Sequence, residues 1–318
     1  MKSTAVALLA LVVAGALPAR AQSLPYHRPL NPFAASRSAL AHQPFDVFSG
    51  SRGGIALTVE YGNAIEFELP PGTRYLLDAE FMRASATWTR ELSPAAFLAV
   101  RGAIGGSYSG FADGFFFWYH DIINFEQPER EARPRNVYAN ELLLPDGREL
   151  AYDATSIAFG DVEATLGIRH SLTQQTAVTV SLPTATRAQF GRGTVSANLV
   201  HTLRVPLRPW LTFEGSIGAG VTPKAGELAD YQRTVFISGT TGVRWRLWGG
   251  QSIYGYFFYH SPFYAGTTIP SLDRRAITGD FGWISRSRDG SEWHVGFSED
   301  LAPGDAGIDL TLKVGRSW

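Results

Sequence analysis

Along the stretch from Gly307 to Trp318, Ile308, Leu310, Leu312 and Val314 fall on one face and Asp309, Thr311 and Lys313 on the other. A period of two marks a β-strand with one apolar and one wet side. A strand of this kind fits a soluble sandwich or a membrane barrel. The rest of the chain separates the two.

At the opposite end, Lys2 precedes an apolar run from Ala5 to Leu17, followed by Ala19-Arg20-Ala21. A positive start, a short apolar run and an A-x-A site predict a secretory signal peptide over residues 1–21, cleaved before Gln22. No later segment has the roughly 20 consecutive apolar residues of a membrane-spanning helix. Cysteine is absent. The exported chain must then be held by its core or by a membrane, without disulfides or thiolate metal sites. A net charge of -1 gives no support for nucleic-acid binding. Aromatic residues make up 13% of the chain beside 33 glycines, with a mean hydropathy of only -0.05. Barrels place aromatics in girdles at the two membrane interfaces, and such a composition suits them.

Residues 22–50 carry Pro25, Pro29, Pro32 and Pro44 with little periodicity. They predict a periplasmic lead-in or a partial plug of the lumen. Residues 51–318 read as a single barrel domain. Alternation places Ile55, Leu57, Val59 and Tyr61 on one face, and a long strand follows from Arg74 to about Arg90. There the apolar face passes from Tyr75, Leu77 and Phe81 to Ala84, Ala86 and Trp88, which predicts a bulge. Further strands begin near Ala96, Val162, Val178, Val195, Leu211, Val235, Gln251, Ile277 and Trp293, and the terminal stretch closes the series. The expected fold is an all-β, antiparallel up-and-down transmembrane barrel of about twelve strands.

The connections are the sharper test. Ser93-Pro94, Thr173 to Gln175, Pro206 to Pro209, Gly249-Gly250 and Asp289-Gly290 are tight turns. The alternate connections are mostly longer, and the one after the third strand spans residues 107–158. Short periplasmic turns alternating with longer extracellular loops is the pattern of an outer-membrane barrel. A sandwich has no reason to follow it. In the barrel reading the terminal aromatic is similar to the signal read by the barrel-assembly machinery. Leu312, Val314 and Trp318 are therefore the expected assembly signal.

Several phrases then carry a resemblance. They are Leu77-Asp78-Ala79-Glu80, His120-Asp121-Ile122-Ile123-Asn124-Phe125 with Arg133-Pro134, Phe159-Gly160-Asp161-Val162-Glu163, and Leu182-Pro183-Thr184. In that order they resemble family 3187 of the domains of unknown function, a group of bacterial outer-membrane barrels. The Gly-Asp strand start and Leu-Pro-Thr strand end are similar to the wider class of phenol-degradation-pathway transporter barrels. Ala79 and Ala185 stand where the pattern favours glycine, and Arg192 interrupts the glycines at 191 and 193. The resemblance implies location and fold; it supplies no reaction.

Inward polar positions carry charges of both signs, among them Glu163, Arg169, Arg204, Glu214, Arg244 and Arg246. Either they pair with one another or they set selectivity. In the long loop, Phe117, Trp118 and Tyr119 lie beside His120 and Asp121 within an aromatic run. An apolar patch of that size has to be buried in something. It could pack on the rim, enter lipopolysaccharide, or fold inward as a constriction; the last is the expectation tested below. No His-x-Ser pair, metal-ligand cluster or phosphate loop is present. No catalytic residue, metal or cofactor is therefore expected. The expected partners are outer-membrane lipid, lipopolysaccharide, the assembly machinery and a small solute. The sequence points to a passive channel for small solutes, with a lipid-acting enzyme or a structural surface barrel as the alternatives.

Overall fold

The structure, a computed structural model, describes residues 28–37, 53–123, 134–301 and 310–318. The expected signal peptide lies outside the described residues, as do Gln43-Pro44-Phe45, the segment 124–133, Ile308 and Asp309. Among the described residues fifteen strands form one sheet. They are β1 (Gly53–Glu68), β2 (Arg74–Ser93), β3 (Ala96–Tyr108), β4 (Ala139–Leu143), β5 (Glu149–Ala151), β6 (Thr155–Phe159), β7 (Val162–Arg169) and β8 (Gln174–Leu182). They continue as β9 (Ser196–Arg208), β10 (Leu211–Val221), β11 (Val235–Arg246), β12 (Gln251–His260), β13 (Ala276–Arg286), β14 (Glu292–Asp300) and β15 (Leu310–Ser317). Among the described residues three helices accompany them: α1 (Pro32–Ala35), α2 (Asp113–Ile123) and α3 (Pro270–Asp273). Among the described residues no helix is long and apolar enough to cross a membrane.

Leaving out β4, β5 and β6, twelve strands close into an antiparallel barrel. The seam joins β1 to β15, with Val59 opposite Val314 and Tyr61 opposite Leu312. The Trp318 amide donates to Ile55 O at 2.9 Å, and the Ile55 amide returns a bond to Trp318 O. Closure leaves no unpaired edge in the barrel wall, as a lipid surroundings requires. The hairpin of β4 and β5 adds to the loop end of β2, from Arg74 opposite Leu143 to Asp78 opposite Ala139. β6 similarly extends the pairing of β3.

Both wall faces follow from the period of two. Val59, Leu166, Val178, Leu199, Ile217, Ile237, Ile253, Val295, Leu312 and Val314 are exposed on the outside. Their sequence neighbours Glu60, Thr165, Thr179, Asn198 and Lys313 are buried inside, as is Glu163. Tryptophans gather at the short-turn end. The rings of Trp210 and Trp245 lie 5.0 Å apart, tilted by 32°, and the Arg316 guanidinium lies over the rings of Trp293 and Trp318. An arginine with its charge laid across indole faces at a barrel rim is a snorkelling arrangement. At the same end the Phe97 ring lies directly over Gly167, where any Cβ would meet it at 2.1 Å.

Two expectations are corrected. Pro206, Leu207 and Arg208 belong to β9, so the turn before β10 is shorter than the sequence suggested. The bulge in β2 is absent: its pairing with β1 runs unbroken from Tyr75 opposite Glu68 to Arg90 opposite Gly53. The apolar face changes because the environment changes. Tyr75, Leu77, Ala79 and Phe81 point inward, into an apolar cluster at the loop end of the lumen. Below them Arg83, Ser85 and Thr87 point inward to polar surroundings, and Met82 and Trp88 face out.

A segment across the lumen as the candidate site

The inward apolar cluster closes around residues that precede the barrel. Leu30, Phe33 and Ala34 are buried with Tyr75, Leu77, Phe81, Leu142, Leu228, Phe263, Tyr264 and Leu272. Local sequence explains the turn that holds them. Asn31 is an N-cap whose side chain accepts from the amides of Phe33 at 2.9 Å and Ala34 at 3.3 Å, and Pro32 occupies the first helical position. The cap is itself tied to the wall, since Asn31 Nδ2 donates to the Tyr75 hydroxyl. The Phe33 ring meets Tyr75 edge-on at 5.4 Å and Tyr152 at 6.0 Å. The Tyr264 hydroxyl donates to Phe33 O at 3.1 Å.

Charged residues fix both ends. Arg37 is buried, and its guanidinium donates to the carbonyls of Thr222, Pro223 and Arg233. At the other end Arg83 pairs with Glu60 at 2.6 Å and donates to the carbonyls of Arg28 and Pro29. Arg28 pairs with Glu163 at 2.9 Å. Glu163 also faces Arg192 at 2.9 Å and Arg101 at 3.8 Å. Arg192 donates to Asp161 through its amide at 2.8 Å, and its guanidinium reaches Asp161 and Ser181. With side chains at most 10% exposed, these ions are tolerable only because every carboxylate meets a guanidinium.

Above the segment lies a cavity of about 340 Å³. Its walls come from Phe33, Tyr152, Tyr264 and Leu228, with Asn140, Gln189 and Gln232 supplying polar groups. Burial pushes the phenols of Tyr152 and Tyr264 up to about 12, so both remain neutral hydroxyls at ordinary pH. The cavity thus combines aromatic rings, amides and an already paired arginine.

The sequence-predicted lumen residues separate into local pairs. Glu163 sits in the ionic cluster. Arg169 lies at the short-turn end with Glu91 at 3.6 Å, its guanidinium over Phe97. Arg204 meets Glu214 at 3.5 Å, and Arg244 meets Glu292 at 3.3 Å. Arg246 is exposed at the end of β11. Lys313 and Asp280 form a fully buried pair, with the Tyr256 hydroxyl donating to the same carboxylate. Arg28, Arg83, Arg101, Asp161 and Arg192 escaped the sequence reading. The break that Arg192 makes in a glycine pair was the available signal. Among the described residues, no three metal-ligating side chains come together. His170 and His201 share Thr176 on the outer face, and His260 stacks on Phe263.

The aromatic run expected as a constriction lies in the loop that follows β3. The loop is a helix, α2, and its start is fastened to the outside of the barrel. Asn63 pairs with Glu80 across β1 and β2, on the same face as exposed Val59 and Met82. Glu80 accepts from the amides of Phe111 and Ala112 at 3.0 and 2.8 Å, and Asn63 donates to Asp113 at 3.2 Å. The Phe111 ring lies on outward-facing Tyr61 at 5.6 Å. Phe117 carries the Arg135 guanidinium over its ring, and Trp118 and Asp121 are exposed. The side chains of Tyr119 and His120 lie outside the described ones. The hydrogen bonds that start the helix are made to outward positions of β1 and β2.

The profile of a family described as "Protein of unknown function (DUF3187)" matches residues 68–318. A search of curated protein sequences gives no match. Among solved structures, the COG4313 outer membrane channel from Pseudomonas putida F1 is 12% identical, with a TM-score of 0.53. The match covers 86% of this chain and 99% of the channel. The NanC porin is 7% identical over 84% of this chain and 98% of its own, with a TM-score of 0.46. The Pseudomonas putida toluene transporter TodX is 8% identical over 94% and 95%, with a TM-score of 0.41.

Proposed function

The chain belongs to the DUF3187 family, whose description assigns no activity, and we propose that this member is a passive outer-membrane channel for small, neutral, partly apolar solutes. The carrying observation is the cavity of about 340 Å³ at the loop end, floored by Pro32, Phe33 and Ser36. Its rings and amides favour a solute with an apolar body and one or two polar groups. The fold likeness to the COG4313 outer membrane channel supports the architecture this reading needs. The long loops and the cavity are extracellular; the short turns are periplasmic. Residues 28–37 act as a plug, crossing the lumen beside the cavity.

Conductance in planar bilayers tests the reading. Deleting residues 28–37 should raise single-channel conductance, since the segment fills the apolar loop end of the lumen. Deleting 112–123 should leave it unchanged, because α2 starts outside the wall. In liposome swelling, neutral solutes with an aromatic or branched body should enter faster than charged solutes of equal size. A folded, heat-modifiable barrel that passes no solute with or without residues 28–37 would sink the proposal.

A further inference from the structure

The start of α2 satisfies two polar groups that would otherwise face lipid. Glu80, on the outer wall, is only 1% exposed because Gly110, Phe111 and Ala112 close over it. Asp113 is likewise turned to the wall, taking bonds from Asn63 and from the Asn136 amide. From this root the helix presents Phe115, Trp118 and Ile122 at 43%, 57% and 62% exposure. Spacings of three and four put them on one stripe. Exposed Phe111 continues the stripe onto Tyr61 and Met82, which already belong to the lipid-facing wall.

Depth can be read from the strands. Glu80 and Trp88 lie on the same face of β2, eight residues apart in an unbroken ladder. At about 3.3 Å per residue and a tilt of about 40°, that step rises roughly 20 Å along the membrane normal. The apolar band of such barrels is about 25 Å tall. With Trp88 in the tryptophan belt of the short-turn end, the root of α2 falls near the opposite membrane interface. Seven of the eight tryptophans lie in strands or turns of the short-turn half; the eighth is Trp118. Indole is the side chain best matched to an interface, apolar in its body and polar at one edge.

We infer that α2 is an interfacial anchor, lying against the outside of the barrel with Phe115, Trp118 and Ile122 among the acyl chains of the outer leaflet. The occupant of this face is lipid hydrocarbon. Its surface is continuous with a wall that the barrel presents to lipid, and its root is at the depth where the leaflet begins. The anchor fixes the height of the barrel and covers Glu80, independently of what the lumen conducts.

The absence of cysteine makes the test direct. Full-length Trp118→Cys and Ile122→Cys would each be labelled with an environment-sensitive fluorophore and reconstituted in phosphatidylcholine vesicles. Glu149→Cys, on the exposed hairpin strand β5, is the control. Helix labels should emit at shorter wavelength than the control and lose emission to lipids brominated on the acyl chain. The loss should be greater for bromines near the headgroup than for those near the chain terminus. Aqueous iodide should quench the Glu149 label and spare the helix labels. Iodide quenching of both helix labels in a heat-modifiable barrel would overturn the inference. Self-quenching that grows with the protein-to-lipid ratio would assign the face to a second copy, and would overturn it equally.

Discussion

Replacing Phe33 by alanine removes the largest apolar group that the crossing segment buries. The ring is 4% exposed and meets Tyr75 and Tyr152 edge-on. A buried Phe→Ala change costs about 3–5 kcal/mol through lost transfer energy and the cavity left behind. Tyr75 belongs to the continuous ladder of β2 and cannot move into the gap, which argues for the upper half of that range. The barrel itself does not depend on this ring, because its ladders and seam are made elsewhere. The cost therefore falls on docking of the segment, at 1.36 kcal/mol per power of ten. The undocked population should rise roughly 10³- to 5 × 10³-fold. In planar bilayers, openings to the conductance of the barrel lacking residues 28–37 should become correspondingly more frequent, at unchanged amplitude. Heat modifiability should persist. An opening frequency equal to that of the unaltered protein would refute the claim that Phe33 holds the segment in place; loss of the folded form would refute the separation of plug from barrel.

Arg192→Ala leaves Asp161 and Glu163 buried with fewer cations, a loss of about 3–5 kcal/mol for a broken buried pair. Native-state hydrogen exchange should show lost protection in 183–195 and 28–37 first, with the strand ladder unaffected. At the seam, Leu312→Asp puts a carboxylate on the lipid face, and loss of Trp318 removes both backbone bonds to Ile55. Each should lower the heat-modifiable fraction in outer-membrane preparations; normal yields of both would refute the role given to the terminal strand.

The barrel was legible because alternation is a local signal. Val178, Val180 and Leu182 declare their face without knowledge of a partner strand, and turn length then counts the strands. The site was not, because it is made by contacts far apart in the chain. Tyr75, Leu77 and Phe81 read as an outward face until Leu30 and Phe33 are placed opposite them. A bulge was the local explanation for what is a change of inner environment. Glu80 is the opposite case: it sits on the outer wall, where the loop amides of Phe111 and Ala112 offset the cost of its charge. The density of rings in the long loop was visible. Its direction depended on which face Asn63 and Glu80 occupy, which only the register of β1 against β2 decides.

The crossing segment is held by two kinds of contact with different consequences. Leu30, Phe33 and Ala34 sit in apolar surroundings that would tolerate a small slide. The carbonyls bonded by Arg83 and the three bonded by Arg37 would not. Arg37 grips both sides of the β10–β11 connection, so the segment cannot leave while that loop keeps its shape. The same loop is clasped from outside by Arg148 of the β4–β5 hairpin, which donates to Glu227 O at 2.6 Å and to Asp230 at 3.1 Å. Those outer bonds are exposed, and exposed ion pairs contribute only about 0–1 kcal/mol. The strong contacts therefore face the lumen and the weak ones face outward. An opening that begins at the Arg148 clasp can loosen the loop, then the Arg37 bonds, and only last the buried rings. The order follows from the burial of each contact: the mouth can breathe at little cost while the lumen stays filled.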